Sequence, residues 1–242
     1  MPARHVCLAI AAMVVVTACA TSSGTSVPSA APASSAPEPS VAASVDATVP
    51  ATSPASSPSS SAAGGLCAVE FERCPVAAGT YSTDTFVVPF TFTIEGSDWV
   101  NDRNWPHGGA VTKAESDSFL WAAGVAQGQV GEEVLAIGPG VDDFVAHLGR
   151  FEGWTLSEPS PATIDGASGM QVDVTTNDVQ AGGLYLIAED AFNLAPGEKA
   201  RFIVVDKDGQ TVIFVLESFS ATTFDAFVAD VGEPLLAGIT WD

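Results

Sequence analysis

Residues 200–217 read ARFIVVDKDGQTVIFVLE, and this stretch decides the fold. Two apolar runs, 200–206 and 211–217, flank a polar segment that contains Asp208-Gly209. Asp-Gly between two apolar runs is the strongest short-range signal for a β-hairpin. The sequence therefore predicts two antiparallel strands joined by a tight turn.

A calcium-binding loop is the alternative interpretation of the same stretch. Asp206, Asp208 and Glu217 have the spacing of three ligands in such a loop. The fifth and sixth positions should hold an acid or Asn and a glycine, but here they are Gln210 and Thr211. The hairpin is favoured, and no metal site is expected.

Outward from the hairpin, the pattern predicts more strands and two helices. Residues 86–94 alternate apolar and polar side chains towards their end, which is typical of a half-buried strand. Apolar positions at helical spacing predict helices over about 141–150 and 222–237, and Pro234 is expected to kink or divide the second. We predict an α+β fold: a single domain, residues 66–242, with an antiparallel β-sheet covered by two main helices.

Composition limits the function. The chain has 242 residues, 29 Asp and Glu against 8 Lys and Arg, and a formal net charge of −21. Such a charge repels nucleic acid and anionic lipid, so no nucleic-acid partner is expected. The acidity could attract basic partners, although solubility at a crowded cell surface is the simpler interpretation.

The N-terminus has the features of a bacterial lipoprotein signal. A charged start precedes an apolar run, Val6–Val16, that is shorter than the roughly 20 residues a membrane span needs. The run ends in Val16-Thr-Ala-Cys19, which resembles the lipobox. The resemblance implies that residues 1–18 are removed and that lipid on Cys19 holds the protein at the extracytoplasmic face of the cell membrane. An ordinary secretory signal, with an incidental thiol, is the alternative.

Residues 19–65 and the two cysteines after them form the predicted entry to the domain. The segment is nearly all Ala, Ser, Thr, Pro, Val and Gly, which predicts a disordered tether. Outside the cytoplasm, the close pair Cys67 and Cys74 predicts a structural disulfide. A zinc site would need four ligands, and the pair lacks Cys-x-x-Cys spacing.

The order of elements resembles small bacterial lipoproteins of the LpqN/PsbP-like kind. The resemblance rests on Phe90-Thr-Phe-Thr-Ile94 before Trp99, on the helix before Trp154, on Ile164-Asp-Gly and on the closing Ile239-Thr-Trp241. It covers about 85–241 and implies PsbP-like layers, an antiparallel sheet between helices. It also implies a non-enzymatic binding or accessory role, and it transfers no functional residue.

Aromatic side chains near Trp105 are the candidate ligand-binding residues. Trp105 lies in a polar stretch, Asn101–Gly109, where an apolar ring has little local reason to be. We therefore place a speculative binding site at Trp99, Trp105 and His107, although aromatic residues are more often part of a core.

No pattern indicates catalysis. Gly166-Ala-Ser168-Gly lacks the spacing of a nucleophile elbow. His147 is expected to be exposed, and the adjacent acids Glu132-Glu133 and Asp142-Asp143 are expected to be solvated. We predict no catalytic residue, metal or cofactor.

Three functions stay open at this point. The favoured one is an interaction module for a protein, peptide or cell-wall partner at the cell surface. The alternatives are a small-solute receptor for a transporter and, third, a hydrolase that uses two carboxylates.

Overall fold

Strands dominate the structure, a computed structural model that describes residues 64–67, 73–130, 132–176, 182–187 and 190–242. The first nine strands are β1 (Gly64–Gly65), β2 (Cys74–Val76), β3 (Gly79–Ser82), β4 (Phe90–Ile94), β5 (Trp99–Trp105), β6 (Gly108–Lys113), β7 (Asp117–Ala123), β8 (Gln127–Val130) and β9 (Glu133–Ala136). The others are β10 (Trp154–Leu156), β11 (Ser160–Ile164), β12 (Ala167–Thr176), β13 (Gly182–Ile187), β14 (Asp190–Phe192), β15 (Lys199–Lys207), β16 (Gln210–Ser218) and β17 (Thr240–Trp241). The helices are α1 (Val141–Leu148), α2 (Ala221–Phe227) and α3 (Glu233–Ala237), with a π-helical turn, Val228–Gly232, between the last two.

A nine-stranded antiparallel sheet, the central sheet, has the predicted hairpin near its middle. The strand order is β10-β12-β15-β16-β7-β6-β5-β2, with β11 also paired to β12. Lys207 pairs with Gln210, so Asp208 and Gly209 form the turn, with φ angles of 55° and 83°. Two consecutive positive φ angles are what a type I′ hairpin turn requires. The hairpin prediction is confirmed.

One side of the central sheet, the first face, is covered by a second sheet and the C-terminal helices. The second sheet has the order β1-β3-β4-β17. Phe214 and Leu216 of β16 belong to the same buried cluster as Phe90 and Phe92 of β4 and Phe224 of α2. The rings of Phe90 and Phe214 meet edge to face, with centroids 5.3 Å apart. The first face therefore carries an aromatic core.

The opposite side, the second face, is covered by α1 and a third sheet. That sheet has the order β14-β13-β8-β9. Ile213 and Val215 of β16 cluster there with Phe144 and Leu148 of α1 and with Leu184 of β13. Because side chains alternate along a strand, β16 supplies both cores.

The predicted helices lie where expected, and a π-helical turn interrupts the second. Pro234 lies in the first turn of α3, directly after the π-helical turn. Proline lacks an N–H, so a helix interior does not accommodate it well. A Cβ added to Gly232 would lie 2.4 Å from Leu216 Cδ1, so only glycine allows this close packing on β16. The prediction that Pro234 kinks or divides the helix corresponds only to this π-helical turn, because the backbone angles stay helical from Phe227 to Glu233.

The predicted fold class, α+β with one sheet covered by two main helices, is wrong. The structure is β-rich: 52% strand and 16% helical, with two four-stranded sheets beside the central one. The short third-sheet strands gave no signal, since a sequence such as QGQV in β8 has no alternating apolar pattern. Among the described residues, no helix has the length and apolar character to cross a membrane.

The predicted signal and most of the predicted tether lie outside the described residues. Removal of residues 1–18, lipid on Cys19 and disorder up to residue 63 therefore stay predictions. Gly64-Gly65, the end of the predicted tether, pairs in parallel with β3. The structure joins Cys67 to Cys74, whose Cα atoms are 6.4 Å apart.

Candidate functional site

Four connections, joined by Val87 of the β3–β4 connection, line a pocket at one end of the central sheet, which we call the loop pocket. They are the β5–β6 turn, the β7–β8 and β9–α1 connections, and the β15–β16 turn. The volume is about 400 Å³, within the range of small-molecule sites. Loops on a rigid sheet are where binding residues concentrate, so the loop pocket is the leading candidate site.

Hydrogen bonds tie these connections to one another. The Thr211 hydroxyl, at the start of β16, donates to the Pro139 carbonyl before α1. Backbone bonds hold the other segments, namely Ala123 N to His107 O (3.0 Å), Val87 N to Pro106 O (2.8 Å) and Ile137 N to Ala126 O (2.8 Å). The loop pocket is therefore formed before any ligand arrives.

The lining is mostly apolar. Phe144 and Ile137 are buried at the pocket wall, and Val125 and Pro139 extend it. Val87 also lines it, although its side chain is 45% exposed. An exposed large apolar side chain beside a concave surface indicates a place where a ligand can bury it.

Three polar side chains interrupt this lining: His107, Gln210 and Thr211. His107 lies in the β5–β6 turn, and Gln210 and Thr211 begin β16. A few polar groups in an apolar pocket orient a ligand and give specificity.

Acidic side chains surround the turn side of the loop pocket. The Asp206 carboxylate accepts a hydrogen bond from Gly209 N at 2.8 Å, which shapes the turn. Asp208 forms an ion pair with Lys207, with 2.7 Å between Nζ and Oδ2. The four connections, all in the described part of the chain, contain no lysine or arginine, and Lys207 is the last residue of β15, directly before the turn.

Two further acids lie on the helix side. Asp142 and Asp143 are in the first turn of α1, directly after the connection that lines the pocket. The Asp143 carboxylate accepts a hydrogen bond from Gly140 N at 3.2 Å. Both acids are exposed, as predicted, and they favour the positive N-terminal end of the helix.

The structure does not bring the three predicted binding residues together. The predicted loop around Trp105 is wrong, because residues 99–105 form β5. Trp105 is buried in the second-face core at 6% exposure, and Trp99 is buried in the first-face core. The two residues lie at opposite ends of a seven-residue strand, with about 20 Å between their Cα atoms. His107 alone lines the loop pocket.

Local polar contacts explain why a polar sequence forms β5. The side-chain amide of buried Asn101 donates to the carbonyls of Arg103 and Ala110, each at 2.9 Å. Its oxygen accepts from Cys67 N at 3.1 Å. The polar residues therefore serve strand pairing and attachment of the domain entry, which composition alone could not show.

The expectation that His147 is exposed is wrong. The side chain is 2% exposed, and neither ring nitrogen has a hydrogen-bond partner in the described structure. A Cβ on Gly128 of β8 would lie 2.5 Å from His147 Nε2, so the glycine makes room for the imidazole. Burial, with a smaller contribution from the Arg150 charge, lowers the pKa of His147.

Glu217, considered above only as a ligand of a calcium loop, is a buried acid. It lies near the end of β16, 6% exposed, between Ala200 and Ser118 of the neighbouring strands. Burial, assisted by the charge of Glu198, raises the pKa of its carboxyl to about 8. The position of a carboxylate at the end of the apolar run TVIFVLE was the signal available.

The other tested residues show no assembled chemistry. Within the described residues, no group of three His, Cys, Asp or Glu side chains could hold a metal ion. Glu132 and Glu133 are exposed, as is Ser168 on β12. Glu217 does not line the loop pocket.

Comparison with known proteins gives no name to this arrangement. No family model matches the chain, and no curated protein matches it in sequence. A proposal for function therefore starts from the loop pocket itself.

Proposed function

We propose that this protein is a non-enzymatic binding module, anchored at the extracytoplasmic face of the cell membrane through lipid on Cys19. Its loop pocket takes up an apolar group from a protein, peptide or cell-wall partner. The observation that carries the proposal is the convergence of four connections on one apolar pocket of about 400 Å³. The lipobox supports the location, whereas the PsbP-like layers that the family resemblance implied are not those of this β-rich structure.

A small-solute receptor for a transporter is the second candidate. The pocket volume favours it, because small-molecule sites range over about 300–1,000 Å³. The carboxylate hydrolase gains no comparable support. It requires two acids facing one cleft, whereas Glu217, the acid with the raised pKa, lies away from the loop pocket.

A blocked variant tests the site. We would screen the intact protein by NMR against peptides, cell-wall fragments and small apolar solutes, and repeat the screen with Ala126→Trp. Ala126 is exposed and lines the pocket, so a large ring there fills the space and leaves the core intact. We expect pocket ligands to lose binding in this variant.

Ala146→Trp is the matched control, because Ala146 is exposed on α1 and does not line the pocket. It should bind as the parent does. Ligands that bind Ala126→Trp unchanged would refute the loop pocket as the site. Binding of free solutes but of no peptide or wall fragment would select the receptor over the interaction module.

The anchor is tested by fractionation. Cys19→Ala should release the protein from the membrane fraction and abolish labelling with a palmitate analogue. Cys7→Ala is the control, since Cys7 lies in the segment predicted to be removed. Membrane retention and labelling that survive Cys19→Ala would refute lipid anchoring at this residue.

A further inference from the structure

We infer that the loop pocket selects a ligand group that is both apolar and positively charged. The inference rests on the proposed function and adds the charge of the ligand. It follows from three features of the described residues: the acceptors in the pocket wall, the acids around the pocket and the positions of the basic side chains.

The polar wall offers acceptors. The hydroxyl proton of Thr211 is committed to the Pro139 carbonyl, so its oxygen keeps only lone pairs for a ligand. The side chains of Gln210 and His107 can each donate or accept, so only the Thr211 oxygen is restricted to accepting. An ammonium group has donors and no acceptor, so it complements this wall.

The charge near the pocket is negative. Asp208 lies in the β15–β16 turn, and Asp206, at the end of β15, accepts a hydrogen bond from Gly209 of that turn; Asp142 and Asp143 follow the β9–α1 connection. Lys207 offsets one of these four charges through its ion pair with Asp208. A cleft with charge of one sign concentrates ions of the opposite sign, because its low-dielectric walls focus the field.

None of the other described lysine and arginine side chains lines the loop pocket. Arg73 pairs with Asp102 and Glu115, and Lys113 lies over the Trp99 ring at the far end of β5. The remaining ones are Arg103, over the Trp105 ring, Arg150, beyond the C-terminal end of α1, and Lys199 and Arg201, both paired with Asp173. A carboxylate or phosphate in the pocket would find no lysine or arginine side chain in the pocket wall.

Three probes of the same shape test the inference. We would titrate the intact protein with naphthylmethylammonium, naphthylmethanol and naphthoate and follow backbone NMR shifts of the pocket residues. The ammonium probe should bind about tenfold more tightly than naphthoate at about 20 mM salt, with the alcohol between them. The preference should shrink at about 500 mM salt, because solvent-exposed charges are screened.

Neutralising the acids near the loop pocket should remove the preference for the ammonium probe, while the naphthalene ring should still bind in the pocket. The variant combines Asp142→Asn, Asp206→Asn and Asp208→Asn. The amide of Asn at 206 can still accept from Gly209 N, and Asn tolerates the positive φ of 208. The matched control neutralises three acids away from the pocket, by Asp98→Asn, Glu115→Gln and Asp230→Asn, and should keep the parent preference.

The possible results test the charge inference and the proposed binding site separately. The charge inference is overturned if the alcohol or naphthoate binds as tightly as the ammonium probe. It is also overturned if the variant with all three pocket acids neutralised still prefers the ammonium probe. In both cases the loop pocket remains the proposed binding site. If no probe shifts the pocket residues, both the inference and the proposed site fail. The inference is supported if the parent and the control variant prefer the ammonium probe and the variant with the three pocket acids neutralised does not.

Discussion

The two faces of the central sheet differ in what they bury. The first face packs aromatic rings against rings, as Phe90 does against Phe214 and Trp121. The second face buries Phe144 beside a pocket and also buries His147 without a hydrogen-bond partner in the described structure. Glu217 has the same strand parity as Ile213 and Val215, so it too belongs to the second face.

This difference shows how the domain divides its tasks. Close-packed rings add dispersion and burial without ionisable groups, so the first face supplies stability that is insensitive to pH. The second face keeps an open pocket and two buried titratable groups, which makes it the face where stability depends on pH. The predictions below either break this contrast or sharpen it.

The largest effect on packing is expected for the loss of a first-face ring. Phe90→Ala should lower the free energy of unfolding by about 3–5 kcal/mol, because it leaves a cavity in the aromatic core. Phe144→Ala should cost less, about 2–3 kcal/mol, since its ring already borders the pocket. Urea unfolding followed by circular dichroism measures both, with exposed Val134→Ala as the control. An equal or larger cost for Phe144→Ala would break the contrast.

Glu217→Gln should remove a pH-dependent loss of stability of about 5 kcal/mol. The folded-state pKa is raised from 4.5 to about 8, so the unfolded chain releases this proton first as the pH rises. The parent therefore loses stability between about pH 4.5 and 8, and the variant should not. Thermal unfolding across this range measures the slope.

Glu198→Gln is the control for that measurement. It removes the lesser cause of the shift and leaves burial, so the parent slope should decrease only in part. If the stability of Glu217→Gln falls with pH as steeply as that of the parent, another group causes the loss of stability between about pH 4.5 and 8.

His147→Leu should stabilise the protein in acid, by about 1–2 kcal/mol, because it removes two buried ring nitrogens without partners. The lowered pKa means that the unfolded state takes up the proton first. The parent should therefore lose stability as the pH falls below the ordinary histidine pKa of 6.5, while the variant should not. Thermal unfolding in acid, beside exposed His107→Leu, distinguishes burial from the mere loss of a histidine. Equal acid sensitivity of parent and His147→Leu would contradict the prediction.

The smallest effect is expected for a substitution in the β15–β16 turn. Asp208→Asn should alter the free energy of unfolding by less than about 0.5 kcal/mol, because Asn accepts the positive φ of this position. Asp208→Val should cost about 1–2 kcal/mol, since a β-branched side chain is strained there. A large loss for Asp208→Asn in chemical denaturation would show that the carboxylate, and not the backbone, stabilises the turn.

The sequence predicted those elements of structure that are specified by a few neighbouring residues. The β15–β16 hairpin follows from Asp208-Gly209 between apolar runs, and the π-helical turn in the last helix precedes Pro234, where a kink or division was expected. The class prediction failed because the third sheet is built from short strands such as QGQV, whose partners lie far along the chain. Tertiary pairing, and not local propensity, makes these residues strands.

The candidate site was predicted only at His107. Trp105 attracted attention because its neighbours are polar, but the structure uses those neighbours for β5 and buries the ring. The remaining pocket residues come from connections separated by long stretches of sequence, and nothing in their local patterns indicates that they meet.

By itself, the sequence determined the acidic charge, the central hairpin, the two helical regions and the predicted lipoprotein signal, because each is written in composition or short-range spacing. Only the tertiary structure decided which side of each strand is buried, where four connections meet, and that His147 and Glu217 lose contact with water. These outcomes depend on strand register and on packing between distant segments, and a shift of one residue in register would turn every side chain of a strand to the other face.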